Sequence, residues 1–154
     1  MKYKLLSIIV FAGLSLAVAG CNQNTPSTAR DVAEARADAN KEVIEARQDA
    51  SETMSKSNEE VASAREDYLR IDEGAREDLT EAESDAMVAS AKAEFNIART
   101  EAEGRYNIAT EKCGAYTGVD RTACLSGADA TYASAKALAI ADRDEALVRA
   151  DHHE

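Results

Sequence analysis

The sequence predicts an all-α protein: one very long, nearly straight amphipathic helix, then an antiparallel return helix, with no compact globular core. Three observations lead to this prediction. The 133 residues from Asn22 onward include 29 alanines but only 17 Leu, Ile, Val or Phe, a composition typical of long helices rather than of large cores. Apolar positions recur about every 3.6 residues over a long stretch. A strong turn signal is confined to the neighbourhood of Gly118.

The charge balance excludes several classes of protein. Residues 21–154 carry 16 basic and 29 acidic side chains, a net charge of −13, which does not suit binding to nucleic acid phosphates. The absence of Trp and the scarcity of bulky apolar residues argue against a β-domain or a doubly wound enzyme. No nucleophile–base pair or cofactor motif is recognisable. We therefore expect a protein that is not an enzyme and that needs no cofactor or metal.

Residues 1–20 have the three-part pattern of a secretory signal peptide. Lys2 and Lys4 provide a positive start, an apolar run extends from Leu5 to Val18, and small residues precede Cys21. The run is shorter than the ~20 residues that a transmembrane helix needs. The pattern predicts that the chain is exported.

The segment Leu16-Ala-Val-Ala-Gly-Cys21 resembles the lipobox of bacterial lipoproteins. The resemblance implies that Cys21 becomes the mature N-terminus and is acylated, and that several acyl chains hold the protein on the membrane. Because Asn22 follows, rather than an Asp, the resemblance also implies sorting to the periplasmic face of the outer membrane. The alternative is an ordinary signal peptide that happens to be followed by a cysteine.

The lipidated cysteine is expected to begin a flexible polar tether over residues 21–28, which hold the only Pro of the chain. One Ala-rich helix is then predicted over 29–116. Low helix propensity at 51–58 predicts a hinge, with Gly74 as a second candidate. The spacing of the apolar positions favours a straight rod over a supercoil. These positions, called the apolar stripe below, are Val32, Ala35, Ala39, Val43, Ala46, Ala50, Met54, Ser57, Val61, Ala64, Tyr68, Ile71, Ala75, Leu79, Ala82, Ala86, Ala89, Ala93 and Ile97.

The apolar stripe has two interpretations. It is either a surface that binds a second copy or another envelope protein, or the weakly apolar face of a solvated helix. The segment Val32–Ala39 also recurs, with six of eight residues identical, as Val43–Ala50. Such 11-residue Ala/Glu/Arg repeats resemble those of desiccation proteins, which suggests an alternative function considered below.

A turn is predicted at 117–120, a return helix at 121–150 and a tail at 151–154. Gly118 can adopt the left-handed conformation that ends a helix. Asp120 is placed to cap the next helix. His152 and His153 lie in the tail, and we assign them no metal site.

Cys113 and Cys124 are predicted to form a structural disulfide. On one continuous helix they would be about 16.5 Å apart, too far for a disulfide, but across an antiparallel hairpin they face each other. In that register the numbers of facing residues add up to 237, and most other facing positions hold small residues: Ala109 with Ala128, Ala102 with Ala135, Ala98 with Ala139, and Ala91 with Ala146. Export to an oxidising compartment favours the bond. A redox-active pair and a metal site are the alternatives.

The pattern of Tyr106, Cys113, Gly118 and Cys124 resembles a group of small Ala-rich proteins exported by proteobacteria, often labelled as cell-envelope biogenesis proteins. This resemblance implies export and a helical hairpin, but no particular activity. The lipid anchor and the Ala-rich helix also resemble the murein lipoprotein, which ends in a Lys that joins peptidoglycan. The last Lys of this chain is Lys136, so covalent attachment to peptidoglycan is not expected.

Together these features predict a non-enzymatic, lipid-anchored protein of the bacterial cell envelope that acts as a helical rod or spacer. It would contact the membrane through its acyl groups and a protein partner through the apolar stripe. The alternative is a stress-protective, partly disordered hydrophilic protein that gains helix on drying or at membranes.

Overall fold

The computed structural model describes residues 26–69 and 75–152, nearly all of which are helical. Three helices follow one another: α1 (Pro26–Tyr68), α2 (Ala75–Cys113) and α3 (Gly118–Asp151). Helix α2 packs against both α1 and α3, whereas α1 and α3, as far as they are described, make no contact with each other. The fold is therefore an open antiparallel three-helix bundle with α2 in the middle.

The single helix predicted over residues 29–116 is wrong, because the chain reverses direction between Tyr68 and Ala75. After the reversal, Arg65 lies 3.1 Å from Glu83, and Arg47 lies 2.9 Å from Glu101. Gly74 falls in this interval, outside the described residues. The physical reason is that a straight helix leaves the whole apolar stripe in water, whereas a chain that folds back buries the two halves against each other.

The two halves of the apolar stripe form the interface between α1 and α2. Ala39 and Ala50 on α1 and Ala93 on α2 are buried. A Cβ on Gly104 would touch Ala39, and the numbers of these two residues add up to 143. The same sum joins members of the stripe to one another, such as Ala50 to Ala93. The periodicity of the stripe thus belongs to a helical hairpin and not to a rod.

The predicted hinge at 51–58 is also wrong, since α1 passes through this segment without interruption. Ser57 is only 9% exposed, so its small side chain is used in the interface. Packing of this kind overrides a weak local propensity.

Helix α1 also begins at Pro26, inside the predicted tether, and Thr28 is buried. Proline suits the first helical position because its missing N–H would be unpaired there in any case.

Helix α2 occupies the centre because it has two buried faces. Ala93 and Gly104 face α1, whereas Ala91 and Ala102 face α3. Residues two positions apart are separated by about 200° around a helix, so α1 and α3 lie on nearly opposite sides of α2. All four residues are Ala or Gly, which allows the helix axes to approach closely.

The link between α2 and α3 spans only the four residues between Cys113 and Gly118. Gly118 has a φ of +57°, the left-handed conformation, and begins α3. Thr117, and not Asp120, occupies the N-cap position. Asp120 lies in the first turn instead, where the positive end of the helix dipole stabilises its carboxylate. The return helix is therefore longer at both ends than the predicted 121–150. His152 follows α3 at its C-cap, and residues 153–154 lie outside the described part of the chain.

Candidate functional site

The most distinctive chemistry lies where α2 meets α3. Cys113 and Cys124 are joined in a disulfide with their Cα atoms 5.6 Å apart, and Cys113 is fully buried. Just beyond Cys113, the backbone N–H of Gly114 donates to the carbonyl of Glu111 at 3.0 Å, and the N–H of Tyr116 donates to the carbonyl of Cys113 at 3.1 Å. These tight turns satisfy the last carbonyls of α2 and let the chain reverse at once. The two helices are thus joined covalently next to the turn.

Two tyrosines pack against each other above the disulfide. The ring centroids of Tyr106 and Tyr132 are 5.1 Å apart, a distance at which aromatic pairs attract. The Tyr106 hydroxyl donates a hydrogen bond of 2.9 Å to Oδ1 of Asp129. This bond, together with the negative charge of Asp129, raises the pKa of Tyr106 above its ordinary value of 10.0. In the register worked out from the sequence Tyr106 faces Thr131, but in the structure its ring packs on Tyr132 and its hydroxyl bonds to Asp129.

A groove of about 340 Å³ lies between α2 and α3 beside the disulfide. Alanines of both helices line it, as do three tyrosines, namely Tyr106, Tyr116 and Tyr132. Both thiols here are held in the disulfide, and the Tyr106 hydroxyl is bound to a carboxylate. The groove therefore offers apolar and aromatic surface for packing or binding, and its described side chains do not form a nucleophile–base pair.

A larger groove of about 630 Å³ runs between α1 and α2 and has charged walls. Its acidic side chains include Glu42, Glu45 and Asp49, and its basic side chains are Lys92 and Arg99. Arg99 is paired with Glu103 at 3.0 Å. Within the described residues, no group of three or more His, Cys, Asp or Glu side chains is arranged to hold a metal ion. Charges of both signs on an open groove indicate a solvated surface.

The far end of α3 is held on α2 by polar contacts. The Ser84 hydroxyl, which is buried, donates a hydrogen bond of 3.2 Å to the carbonyl of Ala150. The Arg143 guanidinium lies 4.7 Å from the centroid of the Phe95 ring, as a cation–π contact requires. Helix α3 is thus fastened at both ends, by the disulfide and by Ser84.

Only some of the site residues predicted from the sequence lie in the described part of the chain. Residues 1–20 and Cys21 lie outside it, so the lipobox stays a prediction. The apolar stripe, considered as a partner surface, is instead used within the chain. The cluster of Tyr106, Asp129 and Tyr132 was missed, although the spacing of three between Asp129 and Tyr132 places both on the face of α3 that meets Tyr106 in the 237 register.

In the part of the chain that the structure describes, no helix is long and apolar enough to cross a membrane. Comparison with known proteins finds no family model, no curated protein and no solved structure that matches this chain.

Proposed function

We propose that this protein is a non-enzymatic, lipid-anchored component of the bacterial cell envelope, whose three-helix bundle serves as a spacer or interaction body. The observation that carries the proposal is the lipobox-like segment that ends at Cys21 after a short apolar run. Helix α1 begins only five residues later, at Pro26. The acyl groups on Cys21 would therefore hold the bundle close to the membrane surface.

The distribution of charge supports this arrangement. We call the end of the bundle that contains Pro26 the N-terminal end and the opposite end the far end. Nine residues from each helix at the N-terminal end carry three basic and four acidic side chains; these are 26–34, 109–117 (with the turn) and 118–126. The equivalent residues at the far end carry three basic and ten acidic side chains; these are 60–68, 75–83 and 144–152. An anchor at the N-terminal end keeps most acidic groups away from an anionic lipid surface.

Two further features support export to the envelope. The Cys113–Cys124 disulfide suits an oxidising compartment such as the periplasm. Asn22 lacks the charge of the Asp that favours retention at the inner membrane, so we place the protein on the periplasmic face of the outer membrane. Most of the described apolar stripe is covered where α1 and α2 pack together, so a protein partner would mainly use other surfaces.

The experiment that tests the anchor exploits the three cysteines of the chain. The full-length protein is expressed in a Gram-negative host with a radiolabelled fatty acid, and the mass of its mature N-terminus is determined. We expect label on the wild type and no label on Cys21→Ser. The matched control is the double variant Cys113→Ser/Cys124→Ser, which should be labelled as fully as the wild type. A Cys21→Ser protein that is processed and still tightly membrane-bound would refute the proposal.

The stress-protective alternative rests on the 11-residue repeat. In the bundle this repeat has a packing explanation, because 11 residues are close to three helical turns. Equivalent positions such as Ala39 and Ala50 therefore meet α2 in the same way, and both are buried. Circular dichroism of the soluble mature form in dilute buffer separates the two functions. A cooperative thermal transition from high helicity supports the structural role, whereas low helicity that rises with osmolyte or lipid supports the alternative.

A further inference from the structure

The turn between α2 and α3 lies at the same end of the bundle as the start of α1. Thr28 and Ala29, in the first turn of α1, line a groove together with Ala115 and Tyr116. The five Cα–Cα steps from Cys21 to Pro26 span at most about 18 Å when the chain is fully extended. A lipid anchor on Cys21 would therefore keep this turn, which we call the tip and define as residues 114–119, within reach of the membrane surface.

The tip exposes apolar surface. Val119 is 84% exposed, the largest value among the exposed large hydrophobic residues of the described chain, and Tyr116 is 38% exposed. Moving such an exposed aliphatic side chain out of water is favourable. A tyrosine suits the headgroup level because its ring is apolar and its hydroxyl is polar.

The charges around the tip oppose contact with an anionic lipid surface less than the charges at the far end do. The basic residues at this end, Arg30, Lys112 and Arg121, nearly balance its acidic residues, whereas the far end has an excess of seven acidic side chains. Charges separated by much more than the Debye length of about 8 Å hardly interact, and the bundle is several times longer than this. The N-terminal end is thus the end that a negatively charged membrane repels least.

We propose that the tip rests on the phospholipid headgroups, so that Val119 and Tyr116 form a second, weak membrane contact that orients the anchored bundle. This inference depends on the proposed lipid anchor. A single Val and a single Tyr bury too little area to hold the protein without the acyl groups. With the acyl groups in place, the contact sets the direction in which the acidic far end points, namely away from the membrane.

The test uses tryptophan as a depth probe, because the chain has no Trp of its own. Mature acylated protein carrying Val119→Trp is purified from membranes and reconstituted into phosphatidylcholine/phosphatidylglycerol vesicles that contain a brominated acyl chain. The matched control is Val148→Trp, since Val148 lies on the same helix near the far end and is 56% exposed. We expect the emission of the Val119→Trp protein to shift to shorter wavelength and to lose roughly half or more of its intensity, because an indole ring partitions to the interface. The emission of the Val148→Trp protein should be unaffected by the vesicles.

The outcomes separate the inference from the proposed function. If the acylated Val119→Trp protein floats with the vesicles and its emission is not quenched, the inference is overturned and the anchor stands. Equal quenching in the two variants would mean that the bundle lies flat on the membrane, which also overturns it. If mass spectrometry finds no acyl group on Cys21 and the protein does not float, both the proposed function and the inference fail. Unchanged thermal melting of the two variants verifies that each is folded.

Discussion

Gly104 marks a close approach of α1 to α2, and it allows a sharp test of the bundle. A Cβ at this position would lie 2.7 Å from Cβ of Ala39 and 3.4 Å from its Cα, whereas carbon atoms in favourable contact stay about 3.5–4.0 Å apart. Gly104→Ala therefore pushes the helices apart where Ala39 is 7% exposed. Overpacking of this kind costs roughly 1–3 kcal/mol. The better helix propensity of Ala offsets about 1 kcal/mol of that cost.

Gly127→Ala is the matched control. Gly127 lies inside α3 and is exposed, and a Cβ there would meet nothing within 4 Å. Only the helix propensity changes, so we expect a gain of about 0.5–1 kcal/mol. The free energy of unfolding of the Gly104 variant should therefore fall below that of the Gly127 variant by roughly 1–3 kcal/mol. Thermal melting followed by circular dichroism should resolve this difference, since about 1 kcal/mol shifts the midpoint by several degrees in a small protein.

A compensating variant checks the mechanism. Adding Ala39→Gly to Gly104→Ala removes the Cβ that causes the clash, so the pair should recover the packing loss although each change alone lowers stability. In a single extended helix, both Gly104 and Gly127 would be exposed, and Ala at either position would stabilise the protein equally. Equal gains in the two glycine variants would thus refute the packing of α1 on α2.

Three further predictions concern the disulfide, the tyrosine cluster and the overall dimensions. Replacing Cys113 and Cys124 with Ser should lower the free energy of unfolding by roughly 3 kcal/mol in the chain-entropy picture and speed amide exchange in α3; unchanged protection in α3 would show that the alanines hold the hairpin alone. In an alkaline titration followed by tyrosinate absorbance, Tyr106 should ionise above its ordinary pKa, and Asp129→Asn should bring that pKa back down. Because the pKa of Tyr106 is raised in the folded state, the contribution of the neutral hydroxyl to folding stability is fully present below the unfolded-state pKa. It is lost as the pH rises through the folded-state pKa. Identical titrations of wild type and variant would contradict the Tyr106–Asp129 contact. X-ray scattering of the soluble form should give a maximum dimension near the length of α1, whose 43 residues span about 65 Å. A value near the ~126 Å of a single helix over 29–112 would contradict the bundle.

The all-helical character and the pairing of α2 with α3 follow from local and short-range features. Ala-rich composition and a period near 3.6 specify helix without reference to distant residues. Gly118 supplies a left-handed turn, and a disulfide between two cysteines that cannot meet along one helix requires the chain to fold back close to that turn. Here the turn signal and the pairing lie within a dozen residues of each other, so the sequence suffices.

The reversal between Tyr68 and Ala75 was decided by tertiary packing. An apolar stripe with a period of 3.6 is equally regular in a straight helix and in a hairpin whose halves face each other, so periodicity alone does not distinguish them. Members of the stripe pair with one another when their numbers add up to 143, and this pairing indicates the hairpin. Its meaning is clear only once Gly104 is seen against Ala39.

The side-chain partners were likewise decided by the tertiary structure. Tyr106 reaches Asp129 and Tyr132, and not Thr131 directly opposite, because a long side chain extends beyond its own position in the register. Ser57 is part of an interface and not of a hinge for a related reason: burial against a neighbouring helix outweighs a few tenths of a kcal/mol of local propensity. Local sequence thus specifies where helices form, while the burial of weakly apolar faces, summed over many residues, determines which helices meet.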